Sequence, residues 1–435
     1  MSPTFSSLEV RNYRLWFAGG LVSNVGTWIG RVGQDWLVLT VLTAGSATAL
    51  GIVTGLQFLP FLLLAPWAGL VADRFDRRRI LLVTQSMLAL TSLALGVLAV
   101  TGTAQLWHVY VTALVQGVTT AIDNPARQAF VSEMVPADRL SNAVALNSAS
   151  FNTGRLVGPG VAGLVIAWWG TGEALLLNTL TFVFVLVALS MLTVADLRSP
   201  ERARGRGGIR EGFEYVLHRK DIQLVMVLVF VLGTFGMNFQ ITMALMATKV
   251  FGQGAGEFGL LGSIMAVGSL TAALMSARRK EARLRVLLLS LVGFTLSAAL
   301  AALAPTYWTF ALALVPVGLT ALTALTTANA MVQTRVAPEM RGRVMALYMA
   351  IFMGGTPVGA PMIGWISEQF GPRWTIGVGA VAVGLVLVAV SVWLAHAENV
   401  RVSYESQRRP RVSVTTEPVV RDREDAHLPV PEPAR

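Results

Sequence analysis

Cysteine is absent from the chain, so neither disulfides nor thiolate metal sites can form. Charge is scarce too. Asp, Glu, Lys and Arg supply 13% of the 435 residues, about half the ~25% of an ordinary soluble domain, which argues against a water-soluble protein. The four histidines, His108, His218, His396 and His427, are scattered without metal-ligand spacing. No Gly-rich loop ending in Lys-Ser/Thr supplies a nucleotide site, and no nucleophile stands beside a candidate base. Neither a cofactor, a metal nor an enzymatic reaction is expected.

Apolar sequence is abundant: 54% of residues are hydrophobic and the mean hydropathy is +0.62. Residues 36–72, 80–122 and 286–334 contain no Asp, Glu, Lys or Arg, and each run is about twice the ~20 residues a helix needs to cross a bilayer. Each is expected to be a transmembrane hairpin. The runs are too long and too continuously apolar for barrel strands, which alternate with period two. The spans predicted are 15–42, 48–71, 80–101, 105–123, 142–168, 174–194, 222–248, 258–277, 285–303, 307–328, 344–366 and 374–395. The fold class is therefore an all-α membrane protein with twelve transmembrane helices. The first span is too long for a signal peptide and is expected to remain attached.

The formal charge of +10 would raise the question of nucleic acid in a soluble protein, but here its placement answers it. The tail from His396 holds seven basic and seven acidic residues, so the excess lies in the body. There it gathers in alternate loops: Arg74, Arg77, Arg78 and Arg79; Arg127 and Arg139; Arg198, Arg202, Arg204, Arg206, Arg210, Arg219 and Lys220; Arg278, Arg279, Lys280, Arg283 and Arg285; Arg335, Arg341 and Arg343. Opposite loops offer Lys249 and Arg373. By the positive-inside rule the basic loops and both termini are cytoplasmic. The partner is a lipid bilayer, not nucleic acid, and Arg outnumbering Lys by 31 to 3 suggests a GC-rich bacterial genome.

Polar punctuation divides the chain into a six-helix bundle over 1–194, a cytoplasmic linker over 195–221, a second six-helix bundle over 222–395 and a disordered cytoplasmic tail over 396–435. Within the linker, Ile209, Phe213, Val216 and Leu217 recur at helical spacing, predicting a short interfacial helix. The bundles echo each other at an offset of 202 residues, which lays "MVPADRLSNAVAL" (134–146) over "VAPEMRGRVMALY" (336–348) and pairs Pro136 with Pro338, Arg139 with Arg341, and Pro159 with Pro361. Two pseudo-symmetric halves are a common transporter plan, with substrate bound between them near the midplane.

Motifs narrow this plan. "GLVADRFDRRR" (69–79) resembles the loop signature of the major facilitator superfamily between helices two and three. Gly69, Asp73, Arg74, Arg77, Arg78 and Arg79 match, with Asp76 in place of the usual Gly. "GRLVGPGVAG" (154–163) resembles the Gly-Pro element of the drug/proton antiporter branch, with Gly154, Gly158, Pro159 and Gly163 in place and Ala162 where a second Gly is usual. "NYRLWFAG", "PARQAFVSEMVP" and "EGFEYVLHRKD" are similar to the bacterial subgroup containing enterobactin and macrolide exporters. The resemblance implies a secondary transporter in the bacterial inner membrane, working by alternating access as a monomer. It also implies that Asp73, Arg77 and an acid at the end of helix four lock the cytoplasmic side when the outside is open; Asp123 is the candidate, with Arg127 beside it. The Gly-Pro element implies a tightly packed helix five that seals the outer half. One departure stands out: the helix-four Arg of many antiporters, three residues before Gln116 and Gly117, is replaced by Ala113.

Charges inside the spans are the remaining candidates, because each costs about 2.5–3.5 kcal/mol on insertion scales. Asn24, Trp28, Arg31 and Asp35 share one face of helix one, which must look inward. Asp35 is read as a proton-accepting carboxylate in a central cavity, or else as the permanent partner of Arg31. Arg155 in helix five can meet an anionic substrate group, hold a helix-one carboxylate, or form a structural bridge. Gln116, Thr120, Asp123 and Arg127 share a face of helix four. Thr234, Asn238 and Thr242, with Phe239 and Met243 alongside, form a stripe suited to amphipathic molecules or to helix packing. The leading expectation is a proton-coupled antiporter exporting small lipophilic or amphipathic compounds of antibiotic, drug or siderophore type, a multidrug-resistance function. The alternatives are a proton-coupled uptake carrier or lipid transporter of the same fold, and a membrane receptor built on a transporter shell.

Overall fold

The computed structural model describes residues 3–198, 209–279, 281–397, 401–405 and 411–415. Arg202, Arg204, Arg206 and Lys280 lie outside the described residues, as does most of the tail. Residues Met1–Gly384 form one compact unit and Leu385–Arg435 a second.

The helices follow the apolar runs. They are α1 (Arg11–Trp36), α2 (Ala47–Arg74), α3 (Arg77–Val100), α4 (Leu106–Met134), α5 (Ala137–Trp168), α6 (Thr171–Ser190), α7 (Ile209–Leu217), α8 (Lys220–Val231), α9 (Phe239–Leu245), α10 (Ala255–Ala277), α11 (Leu284–Leu303), α12 (Tyr307–Arg335), α13 (Arg341–Gly354), α14 (Thr356–Phe370) and α15 (Trp374–Ala397). Nine helical segments among the described residues are long and apolar enough to cross a membrane. The long helices outside that set, α1, α4 and α5, carry Arg31, Asp35, Asp123 and Arg155.

Several helices outrun the predicted spans. Helix α4 continues eleven residues past Asp123, through Pro125, to Met134, because a helix leaving the hydrocarbon keeps its internal hydrogen bonds in water. The seventh predicted span is not one smooth helix: α8 widens into π geometry over Leu232–Gly236, breaks at Met237 and Asn238, and resumes as α9. The eleventh is divided between α13 and α14 at Gly354 and Gly355.

Exposed tryptophans mark one end of the bundle: Trp107, Trp168, Trp169, Trp308 and Trp374 stand at the termini of α4, α5, α12 and α15 remote from the arginine-rich loops. Their amphipathic rings suit the headgroup level. Exposed Leu, Val and Phe along α3, α6, α11 and α12 form the apolar outer surface.

In the second unit, strands β1 (Arg401–Glu405) and β2 (Arg411–Thr415) pair antiparallel, Val402 opposite Val414 and Tyr404 opposite Val412. They fall within the stretch that composition marked as disordered. The local reason is period-two alternation, Val-Ser-Tyr and Val-Ser-Val, too short to register against the surrounding Pro and charge.

Candidate functional site

Glycines bring the two halves together at the end remote from the arginine-rich loops. A methyl group at Gly51 of α2 would strike the carbonyl oxygen of Ala360 in α14, and one at Gly364 would strike that of Ala47. On the other side, a methyl at Gly259 of α10 would strike the carbonyl oxygen of Pro159 in α5, and one at Gly163 would lie 2.6 Å from that of Ala255. Only residues without a side chain permit backbones this close. Hydrogen bonds reinforce the seal. Glu368 of α14 accepts from Ser46 Oγ at 2.8 Å, from the Thr48 amide at 3.0 Å and from Thr48 Oγ1 at 2.7 Å, and Ser263 Oγ donates to the Leu156 carbonyl at 2.6 Å. Trp36 stacks on Phe258 at 5.9 Å.

The Gly-Pro element thus has two faces. Gly154 and Gly158 receive α1, through the backbone of Asn24 and the Trp28 side chain, whereas Pro159 and Gly163 receive α10. Asn24 is further held by Nδ2 donating to Ser150 Oγ at 2.9 Å.

Below the seal lies a cavity of about 270 Å³ between the halves, bordered by α1, α2, α5, the broken segment between α8 and α9, α10 and α13. Its polar groups are Arg31, Asp35, Arg155, Gln57, Asn238 and Gln240, and its apolar wall includes Trp28, Phe58, Phe151, Phe239 and Met243. Arg31 and Asp35, although i,i+4 neighbours, do not close to ion-pair distance, and Asp35 and Arg155 have no hydrogen-bond partner among the described residues. The Arg31 guanidinium instead lies 5.5 Å from the centre of the Trp28 ring. A permanent Arg31–Asp35 bridge is therefore absent here. Asn238, placed by the break in the helix, gives its Nδ2 to the Thr234 carbonyl at 2.7 Å while its Oδ1 is buried and unpartnered. Thr234 itself packs against Gly355 and Gly359 and leaves the cavity to Asn238.

The predicted charge network forms differently. Arg77 donates to Glu133 at 2.8 Å. Asp73 lies 3.7 Å from Arg77, with a side chain 66% exposed. Asp123 is not part of this group. Its Oδ1 accepts from Thr84 Oγ1 at 2.6 Å and Gln85 Nε2 at 2.7 Å, and its Oδ2 from Arg127 Nε at 2.8 Å. The Arg127 guanidinium lies over the Trp16 ring at 5.2 Å. The acid that helix four offers to the loop signature is Glu133, missed because hydropathy ended that helix near Asp123. Arg78 Nε donates to the Leu189 carbonyl at 2.9 Å, Arg74 is exposed, and Gly69 has no neighbour where a Cβ would stand. Asp76, the departure from the motif, caps α3 by accepting from the Arg79 amide at 2.8 Å, a common N-cap role for Asp. Gln116 borders a second, polar cavity mostly within the first half.

Helical halves closed at one end over a shared central cavity define a major facilitator superfamily transporter. The chain belongs to the transmembrane secretion effector family, which it matches over residues 2–423. It is 26% identical over 361 residues to the staphyloferrin A transporter of Staphylococcus aureus (strain NCTC 8325 / PS 47), covering 82% of this chain and 90% of that protein. It is 22% identical over 394 residues to macrolide efflux protein A of Streptococcus pyogenes, covering 88% and 96%. Among solved structures, a bacterial homologue of the human lysosomal transporter Spinster, in an inward-facing and unoccupied conformation, superposes with a TM-score of 0.67 at 16% identity, covering 91% of this chain and 96% of that one. The chain is a membrane transporter and not an enzyme.

Proposed function

We infer that this transporter is a proton-coupled antiporter that exports small amphipathic compounds from a bacterial cytoplasm. Counting α1, α4 and α5 with the apolar segments, the chain crosses the inner membrane twelve times, as a monomer with both termini cytoplasmic. With the arginine-rich loops inside, the sealed end faces outward and the described state is inward-open. The observation that carries the reading is Asp35, a carboxylate 6% exposed, without an ion-pair partner, in a cavity walled by aromatic and Met side chains. Such a group changes its proton affinity as its surroundings change from wet to dry, which is what coupling to alternating access requires. The adaptable wall suits varied apolar bodies, and Arg155 offers a partner for an acidic group on the substrate. At 100 mV each net charge crossing supplies about 2.3 kcal/mol.

One relative supports efflux, since its name describes macrolide efflux, while the other's describes a staphyloferrin A transporter. The test is a deletion strain challenged with antibiotics, dyes and siderophores, with and without a protonophore, complemented by wild type or Asp35→Asn. Wild type is expected to restore protonophore-sensitive resistance and Asp35→Asn to fail. Resistance undiminished in Asp35→Asn would overturn the coupling role, and inward flux under an imposed pH gradient would favour an uptake carrier.

A further inference from the structure

A second cavity, of about 370 Å³, lies mostly within the first half, among α1, α2, α3, α4, α5 and α6, with Met353 of α13 at its border. Its character is unlike that of the central one. Ser23, Asn24, Thr27, Gln34, Gln85, Ser92, Gln116, Thr120 and Asn178 are among its lining, and Arg31, Asp123 and Arg127 are its charged groups. It runs from Asp123 and Arg127, toward the arginine-loop end of α4, to Arg31 and Gln34 in the last two turns of α1. Arg31, Gln57, Phe58, Phe151 and Met353 line both cavities, so the two share a wall; Asp35 and Arg155 face the central side of it.

Two buried polar atoms in this cavity lack partners: Gln34 Nε2, a donor, and Gln85 Oε1, an acceptor. Their residues are 2% and 0% exposed. Leaving such groups dry is costly, and native proteins satisfy them with ordered water. The orientation of Gln85 is set independently, because its Nε2 is committed to Asp123. A roomy polar cavity bracketed by an unpaired donor and an unpaired acceptor is built to hold a file of water.

We propose that this cavity is a hydrated conduit, lined by the first half except at Met353, and that the proton carried by Asp35 leaves across the shared wall at Arg31 and through this cavity toward the arginine-loop end. The proposal rests on the coupling role given to Asp35 above. Asp123 is not the carrier: its oxygens already accept from Arg127, Thr84 and Gln85. The Asp35 O–H bond breaks, an O–H bond forms on the nearest water at the Arg31 wall, and the excess proton passes along the water file toward the arginine-loop end. Arg31 makes the passage a valve. While Asp35 is ionised its charge offsets that of Arg31; once Asp35 is protonated, Arg31 is uncompensated and repels a second proton, as fixed cations do in water-selective pores. Because the two cavities meet only at their shared wall, substrate can occupy the aromatic side of the central one without filling the water path.

The natural lack of cysteine makes the conduit testable directly. Ser23→Cys and Ser92→Cys place thiols in the polar cavity, and Ser297→Cys in α11, similarly buried but lining neither cavity, is the control. In proteoliposomes, 2-aminoethyl methanethiosulfonate is expected to modify the first two roughly tenfold or more faster than the control, because only a hydrated thiolate reacts. Rates as slow as the control at both sites would overturn the conduit. The proton route is read by a pH jump followed by infrared, using the carboxylic C=O band that disappears in Asp35→Asn. Thr120→Leu puts an apolar side chain in the water file and is expected to slow that band by roughly an order of magnitude or more, as apolar constrictions dewet, while Thr120→Ser keeps the wild-type rate. An unslowed band in Thr120→Leu would overturn the route while leaving coupling at Asp35 intact; no titrating band in wild type would overturn coupling and route together.

Discussion

Arg77 has two carboxylates within reach, Glu133 at 2.8 Å and Asp73 at 3.7 Å. Glu133 has a side chain 10% exposed, so its removal strands a guanidinium that is itself only 11% exposed, whereas Asp73 is mostly in solvent, where ion pairs contribute about 0–1 kcal/mol. Glu133→Ala is therefore expected to cost about 1–3 kcal/mol and to lower the Tm of the purified protein measurably, and Asp73→Asn to leave Tm nearly unchanged. If Asp73 finds its partner only when the arginine-loop end closes, Asp73→Asn nevertheless reduces transport; full transport in that variant would remove Asp73 from the gate. Glu133 also gives a pH signature. It lies beyond the apolar part of α4, and burial pushes its carboxyl above the usual range, although the adjacent Arg77 draws it back in part. A carboxyl raised in the folded state contributes stability that is present below its unfolded pKa and lost as pH rises through the folded value. Across that window wild type should lose Tm relative to Glu133→Gln, whose amide oxygen still accepts from Arg77; parallel curves would show that Glu133 titrates alike in both states.

At the scale of helices, the apolar segments were legible because crossing a bilayer demands a length of apolar residues that composition displays. Their aqueous extensions were not, which is why Glu133 was passed over for Asp123. The central site was half legible. Charges at helical spacing on one face marked Arg31 and Asp35, since lipid leaves them nowhere else to go, and the structure brings both to the cavity with Arg155. That they do not pair goes with the Arg31 guanidinium lying over the Trp28 ring, a side-chain conformation that spacing along α1 does not encode. The seal offers an element-scale test. Glu368, from α14, accepts the Thr48 amide in the first turn of α2 and two hydroxyls beside it, so it holds one half by the start of a helix in the other, where a negative charge is favoured. Glu368→Ala is expected to destabilise the sealed state by about 1.5 kcal/mol, the low end of the range for hydrogen bonds to a charged group because Glu368 is exposed, and to shift the population toward the outer-open state by roughly tenfold. Spin labels at Thr103→Cys and Pro305→Cys, in loops at that end of the two halves, should then report a longer distance. An unchanged distribution would reduce Glu368 to a surface cap.

The whole molecule is closed by the same contact made twice. Pro159 and Pro361, paired by the repeat in the sequence, sit at the two crossings: the carbonyl of Pro159 faces Gly259, and the backbone at Ala360 and Pro361 faces Gly51. Gly163 against Ala255 is likewise matched by Gly364 against Ala47. If the halves rock as units, both crossings part together, because interfaces of this kind switch between discrete arrangements. It follows that a single bulky substitution at either crossing is enough to open the seal. Gly51→Leu and Gly259→Leu should each lengthen the Thr103–Pro305 spin-label distance to the same extent, and the double variant should add little, since the first has already separated the surface on which the second would act. Gly20→Ala, where an added methyl meets nothing within 4 Å, serves as the control and should leave the distance unchanged. Independent, additive shifts at the two crossings would mean that the halves flex locally and do not rock as units, and alternating access would then need a mechanism other than the two-fold symmetric one written in the repeat.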